Sequence, residues 1–266
     1  MVQRWVERWH SRAGHTSARA WPPAGQIPRG EPARPGSGEA PCLDAVGHPG
    51  DRAVAFAAIM GVALEIAARE PAALAQLVQL LARKLQADAI NLRLVDRESW
   101  GSWDNDPKHL WFDTSRAITP DGRQFDDLYT DIEERREISL ASSAVLAGPW
   151  SRGRLVNALC AIGEGRRGGA WREDPFNHRA ILWQPFGVVT VVGGNHSIAA
   201  GIALGAGPLH TEVTRDVSEL YRHVYCDGRR FYRRADARSL GVVRNVHWAA
   251  IFEIGRLMLR HHSRRG

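Results

Sequence analysis

The sequence predicts an α+β protein, and three observations carry that expectation. Apolar residues between positions 51 and 85 recur at helical spacing. Two β-rich runs, residues 179–183 and 188–192, are split by the turn sequence Gln184-Pro185-Phe186-Gly187. A buried strand, a Gly-Gly turn and a helix of small residues then follow without interruption in Val191-Val192-Gly193-Gly194-Asn195-His196-Ser197-Ile198-Ala199-Ala200-Gly201-Ile202-Ala203.

Taken in order, residues 1–50 are rich in Arg, Pro, Gly, Ser and Ala, a composition that cannot bury enough apolar surface to offset its ordering entropy, so a disordered tail is expected. Asp51 suits the cap of a helix running to Arg69. Pro71, in a first turn, opens a second helix in which Leu74, Leu77, Val78, Leu81 and Leu85 form one stripe. Residues 99–130 read as an irregular connection in which aromatics mix with carboxylates, either a lid or substrate loop or a loop that its aromatics pin onto the core. Asp104, Asp106 and Asp113 lack the spacing of a calcium loop. Residues 137–146 are expected to contain a short strand and 151–163 a helix carrying Leu155, Leu159 and Ile162. Strands are expected near Glu212-Val213, in 223–226 and in 230–232. A closing helix over 246–261 offers Ala249, Phe252, Ile254, Leu257 and Met258 for burial. The predicted organisation is a 1–50 tail, a 51–136 N-terminal helical subdomain plus acidic loop, and a 137–266 α+β core with a C-terminal helix.

The chain has 266 residues, 44% of them hydrophobic, enough for a substantial core. It contains no run of about 18 apolar residues, so no membrane partner is expected and the cytoplasm is the default compartment. Cys42, Cys160 and Cys226 show neither a disulfide framework nor zinc spacing. Net charge is +6, but unevenly placed: residues 96–137 hold 12 acidic and 6 basic groups, and residues 229–266 hold 2 acidic and 10 basic. The basic part is a candidate nucleic-acid or protein-binding surface; the acidic part is equally able to dock on it within the molecule.

The Gly-Gly-Asn-His-Ser turn is the strongest functional signal. Glycines let a ligand approach backbone closely, and the free N–H groups and positive dipole end of a helix favour phosphate. Gly193 and Gly194 equally suit a tight turn needing positive φ. Asn195 suits a helix N-cap, and His196 either a hydrogen-bonded lock on the turn, the favoured reading, or a general base. Ser197 does not sit in a G-x-S-x-G elbow. Asn177-His178 repeats the Asn-His dipeptide, which raises a pairing of His178 with His196, joined by Asp174 or His210, as a metal or acid-base pair; two histidines do not make a metal site, and no metal ligands are assigned. Gly163-Glu164-Gly165-Arg166-Arg167-Gly168-Gly169 lacks the Lys-Ser/Thr ending of a P-loop and reads as a flexible basic connection.

The stretch Val192-Gly193-Gly194-Asn195-His196-Ser197-Ile198-Ala199-Ala200, followed by Leu204-Gly205, resembles the D-G-N-H-R-x-A-A…G signature of ParB/sulfiredoxin-like domains, often described as ParB-like nucleases. The helix, loop and two strands before it follow a similar order, and the resemblance spans residues 137–205. It implies a ParB/sulfiredoxin-like mixed sheet-and-helix core. It also implies that Gly193, Gly194, Asn195, His196 and Ser197 hold the phosphates of a nucleoside triphosphate with Mg2+, or of nucleic acid. The family's arginine falls on Ser197, and Gly193 stands where an acidic residue is frequent. A replacement cation is expected from Arg152, Arg154 or Arg179. The functional expectation is nucleotide or phosphate-ester binding, with nucleotide hydrolysis or phosphotransfer through His196 as its catalytic extension. The alternative is a non-catalytic nucleic-acid or protein-binding module on the basic C-terminal surface.

Overall fold

A computed structural model describes residues 49–95 and 111–262, all within one compact unit. The expectations for the N-terminal tail, for Cys42 and for Asp104 and Asp106 lie outside these residues. The fold is α+β. Helices α1 (Pro49–Arg69) and α2 (Leu74–Val95) are joined by a 3-10 turn, Pro71–Ala73, capped by the Glu70 carboxylate. The strands and helices that follow are β1 (Thr130–Ile132), β2 (Glu137–Ser139), β3 (Val145–Leu146), α3 (Arg152–Ala161), β4 (Arg179–Gln184), β5 (Val188–Gly193) and α4 (Asn195–Leu204). The chain ends with β6 (Pro208–His210), β7 (Val213–Asp216), α5 (Leu220–His223), β8 (Val224–Cys226), β9 (Arg230–Arg233), β10 (Ser239–Val242) and α6 (Val246–His262). No described helix is long and apolar enough to cross a membrane.

The central sheet has the order β1-β7-β4-β5-β3 and is mixed: β4 runs antiparallel to β5 and parallel to β7, while β3 runs parallel to β5. Because side chains alternate along a strand, β4 and β5 feed two cores. Ala180, Leu182, Val189 and Val191 join Leu155, Ile198 and Ala199 from α3 and α4. On the other face Trp183 donates its indole N–H to the Thr190 hydroxyl at 2.8 Å and meets Trp111 edge to face. Both faces are covered, which explains the near-continuous apolar run in β5.

Trp111 is the centre of the second core, with Phe125, Trp183, Phe186, Trp248 and Phe252 around it at 5.0–6.3 Å between centroids. The acidic loop after residue 110 is therefore pinned rather than open. Asp113 holds Ser115 and Arg116, and these contacts keep its carboxyl below the usual carboxylate range, while Arg123 reaches Glu219 at 2.8 Å. Arg233 donates to the Ala117 carbonyl, and Phe112 packs on Phe231, so this loop docks on the β8–β10 sheet chiefly through apolar contact. Helices α1 and α2 pack on α6, and α2 also packs on β3. Helix α6 has apolar neighbours around most of its circumference, burying Val246, Trp248, Ala249, Ala250, Ile251, Phe252, Ile254 and Leu257.

Candidate functional site

The site is assembled by a five-residue strap, residues 147–151, between β3 and α3. From one side α2 grips it: Gln86 exchanges two hydrogen bonds with the Ala147 backbone, at 2.6 and 3.1 Å, and Arg93 donates to the Pro149 carbonyl at 3.1 Å. From the other side α4 grips it. The Asn195 Oδ1 accepts from Gly148 N at 2.7 Å, and His196 Nε2 accepts from Ser151 N at 3.1 Å. These bonds satisfy the buried polar groups of Gln86 and Arg93, and they bring the first turn of α3 against the first turn of α4.

Ser151 caps α3, accepting from Arg154 N at 3.3 Å. The cap of α4 is Gly194, with φ 73° and ψ 19°, and no side chain caps that helix. Asn195 is thus the first helical residue instead of the expected N-cap; its oxygen serves the strap. The glycine pair also has a reason within the chain. A Cβ on Gly193 would lie 2.7 Å from the Asn177 carbonyl oxygen, and one on Gly194 would lie 2.4 Å from His178 Cδ2. The close backbone approach is made by residues 177 and 178, so no ligand is needed to explain Gly-Gly.

His196 accepts at Nε2, which places the proton of the neutral ring on Nδ1. Burial first, and then the Arg154 guanidinium, holds its pKa below the ordinary histidine value. The Trp150 ring meets it edge to face at 5.2 Å, and Arg154 lies over the same Trp150 ring at 4.5 Å. With Nε2 engaged, His196 is a hydrogen-bonded lock, and its remaining offering to a ligand is the Nδ1 proton. Arg152 and Arg154 form no ion pair with a carboxylate among the described residues. Arg179 differs: its Nε sits 2.8 Å from Glu212, so it is not the spare cation.

Ser197 lies elsewhere. Its carbonyl accepts from Trp171 Nε1 at 2.9 Å, and the residue lines a separate cavity with the 166–172 segment. The repeated dipeptide does not pair with the first. His178 is buried, stacks on Trp171 with centroids 5.3 Å apart, and accepts from Asp174 N at Nδ1, 2.9 Å. His210 is bound by Glu173 at 2.7 Å. Among the described residues no group of three His, Cys, Asp or Glu side chains is arranged to hold a metal ion. Sequence reasoning missed Gln86, Arg93, Gly148, Trp150 and Ser151 as parts of the site. Only Pro149-Trp150-Ser151 before the two arginines carried a signal.

Burial lowers the His178 pKa, since desolvation outweighs the attraction of Asp174 and Glu173. The unfolded chain therefore binds a proton near the ordinary value of about 6.5 that the folded chain refuses. Stability should be complete above that value and fall as pH drops below it, as protonation breaks the bond from Asp174 N. Thermal midpoints at pH 7.5 and 5.5 should diverge more in the wild type than in His178→Asn; equal divergence would remove His178 from the account.

The fold is thus that of an α+β protein with a mixed sheet whose strand-to-helix turn meets a second helix start. A family model described as "Family of unknown function (DUF6710)" matches residues 42–265, and the chain belongs to that family. No curated protein and no solved structure matches the chain.

Proposed function

We propose that this protein binds a nucleotide or another phosphate ester where the first turns of α3 and α4 meet. The observation that carries this reading is the convergence of two helix N-termini, tied by Gly148 to Asn195 and by Ser151 to His196, beside Arg152 and Arg154. Helix starts favour anions through their unpaired N–H groups and dipoles, and α4 has no side-chain cap to occupy its own. The order of helix, two antiparallel strands and the Gly-Gly-Asn-His-Ser helix is also what the ParB/sulfiredoxin-like resemblance implies. In this reading Arg152 and Arg154 replace the arginine that the family pattern places at Ser197, and His196 donates from Nδ1. The exposed face of Trp150 stands beside them to cover an apolar part of the ligand. Any Mg2+ would be carried by the nucleotide's own phosphates, because no carboxylate cluster stands ready among the described residues. Binding is the conclusion we put forward; proton transfer through His196 would first have to free its Nε2.

The basic C-terminal surface has less behind it. Arg233 is held by Asp236, Arg230 donates to Ser239, Arg234 is partly buried over Tyr225, and Arg256 is buried with Glu253. Replacing Arg229, Arg230, Arg233 and Arg234 would test retention of DNA and RNA.

The direct test is the thermal midpoint of the full chain against CTP, ATP, GTP and UTP, with and without magnesium. Ligand at about 100 times its dissociation constant adds roughly 2.7 kcal/mol. That is a shift of several degrees at this size. Arg152→Glu with Arg154→Glu should abolish the shift while leaving the unliganded midpoint close to wild type. No shift with any nucleotide would overturn the nucleotide reading.

A further inference from the structure

The segment between α3 and β4 forms a second cationic cavity that the site above does not use. The glycine-rich connection is closed by its own backbone: Gly163 N donates to Gly169 O at 2.8 Å, Arg166 N to Gly163 O at 3.1 Å, Gly168 N to Ala161 O at 2.8 Å and Gly169 N to Arg166 O at 2.9 Å. The connection expected to be flexible is thus one whose backbone carries hydrogen bonds of its own. Arg166 is committed in part, with Nη1 donating to the Leu159 and Ile162 carbonyls at 2.5 Å each, where α3 leaves its last carbonyls unpaired. Arg167 and Arg172 are both exposed. Neither forms an ion pair or side-chain hydrogen bond among the described residues.

Between them lies a cavity of about 490 Å³. This is within the roughly 300–1,000 Å³ of small-molecule sites. Three arginines are among its lining residues and no acidic residue is. The nearest acidic residue in sequence, Glu173, is held away by His210, to whose Nδ1 and backbone N it is bound at 2.7 and 2.8 Å. The remaining wall combines the Ser197 side of α4 with Ile162 and the buried Trp171. Trp171 is fixed on two sides, by its bond to the Ser197 carbonyl and by its stack on His178, so the cavity wall is preorganised.

We infer that this cavity is a second anion site, for the phosphate group of a small phosphomonoester whose organic part rests against Ile162 and Trp171. A phosphomonoester carries about −1.5 to −2 charge near pH 7, matched by two unpaired guanidiniums whose planar forks suit phosphate oxygens. Ser197 supplies a hydroxyl donor. The inference does not depend on the reading at Arg152 and Arg154, because neither residue lines this cavity.

The test is calorimetric titration of the full chain, in phosphate-free buffer, with inorganic phosphate and with phenyl phosphate. Both should bind saturably, phenyl phosphate more tightly because of the apolar wall. Arg167→Glu with Arg172→Glu should weaken both by at least about tenfold, since charge-assisted hydrogen bonds to two arginines are removed. Arg152→Glu with Arg154→Glu should leave unchanged the component of phenyl phosphate binding that Arg167 and Arg172 account for. If charge reversal lowers the unliganded thermal midpoint, Arg167→Gln with Arg172→Gln repeats the comparison. Absence of saturable binding by the wild type, wild-type affinity in the Arg167/Arg172 variants, or a loss that follows Arg152 and Arg154 instead would each overturn the inference. Absence of any nucleotide shift in the wild type, with phenyl phosphate binding intact, would instead count against the proposed function alone.

Discussion

Glu253→Ala is expected to destabilise the protein by about 3–5 kcal/mol, the usual loss when one partner of a buried ion pair is removed. At this chain length each kcal/mol lowers the thermal midpoint by roughly 2–4 °C, so the fall should be large. Glu253 and Arg256 sit one turn apart on α6, with side chains 5% and 9% exposed. The carboxylate accepts from Arg256 Nε at 2.7 Å, from Arg256 Nη2 at 3.1 Å and from Cys226 N at 2.8 Å. The guanidinium in turn donates to the Tyr221 and Val224 carbonyls, closing α5 and the start of β8 onto α6. Alanine would leave a buried cation without its counter-ion and the Cys226 N–H without an acceptor. Glu253→Gln, which keeps one oxygen, should fall between the two. Urea unfolding of the three proteins measures this, and a loss below about 1 kcal/mol for alanine would contradict the geometry. Nucleotide or phosphate affinity in the folded fraction should not change, since neither proposed anion site draws a residue from α5, α6 or β8.

The elements that the sequence made legible are those with a long or sharply bounded pattern. The stripe from Leu74 to Leu85, the run Val188 to Val191 and the apolar density after Val246 each announce their period over many residues. The elements that escaped are short and polar. Strand β1, Thr130-Asp131-Ile132, is exposed throughout and exists because it pairs with β7; β6 and β10 are three and four residues long. No local signal marks such pairings, because their hydrogen bonds come from distant chain. The site was half legible for the same reason. The Gly-Gly turn and the two arginines of residues 152–154 stand out in the sequence. What decides their roles does not: the approach of residues 177 and 178 to the glycines, and the grip of Gln86 and Arg93 on the strap, both span long sequence separations. The loop of residues 163–169 looked loose from its glycines and arginines, and only its backbone bonding shows it closed.

Gly194→Val should lower stability by about 3 kcal/mol or more, which changes how any loss of binding by this variant is to be read. Two costs add. The residue sits at φ 73°, where an L side chain pays about 1–2 kcal/mol and a β-branched one is a stronger outlier. Its Cβ would also stand 2.4 Å from His178 Cδ2, 3.1 Å from the Asn177 oxygen and 3.2 Å from His178 Cα. Overpacking of this kind costs about 1–3 kcal/mol. His178 cannot step aside cheaply, because its ring is stacked on Trp171 and bonded to Asp174 N, while Trp171 holds the Ser197 carbonyl of α4. The strain therefore runs into the first turn of α4 and the wall of the cavity beside it, so both proposed anion sites would fail along with the fold. Gly194→Ala should suffer nearly the same penalty, since the clash and the φ cost begin at Cβ. Arg154→Glu places its change on an exposed side chain over Trp150 and should leave the unliganded midpoint within about 2 °C of wild type, as surface substitutions usually cost under 0.5 kcal/mol. The comparison of unliganded midpoints separates the two: a normal midpoint for Gly194→Val would mean that residues 177 and 178 do not hold the turn, and would return the Gly-Gly pair to the ligand.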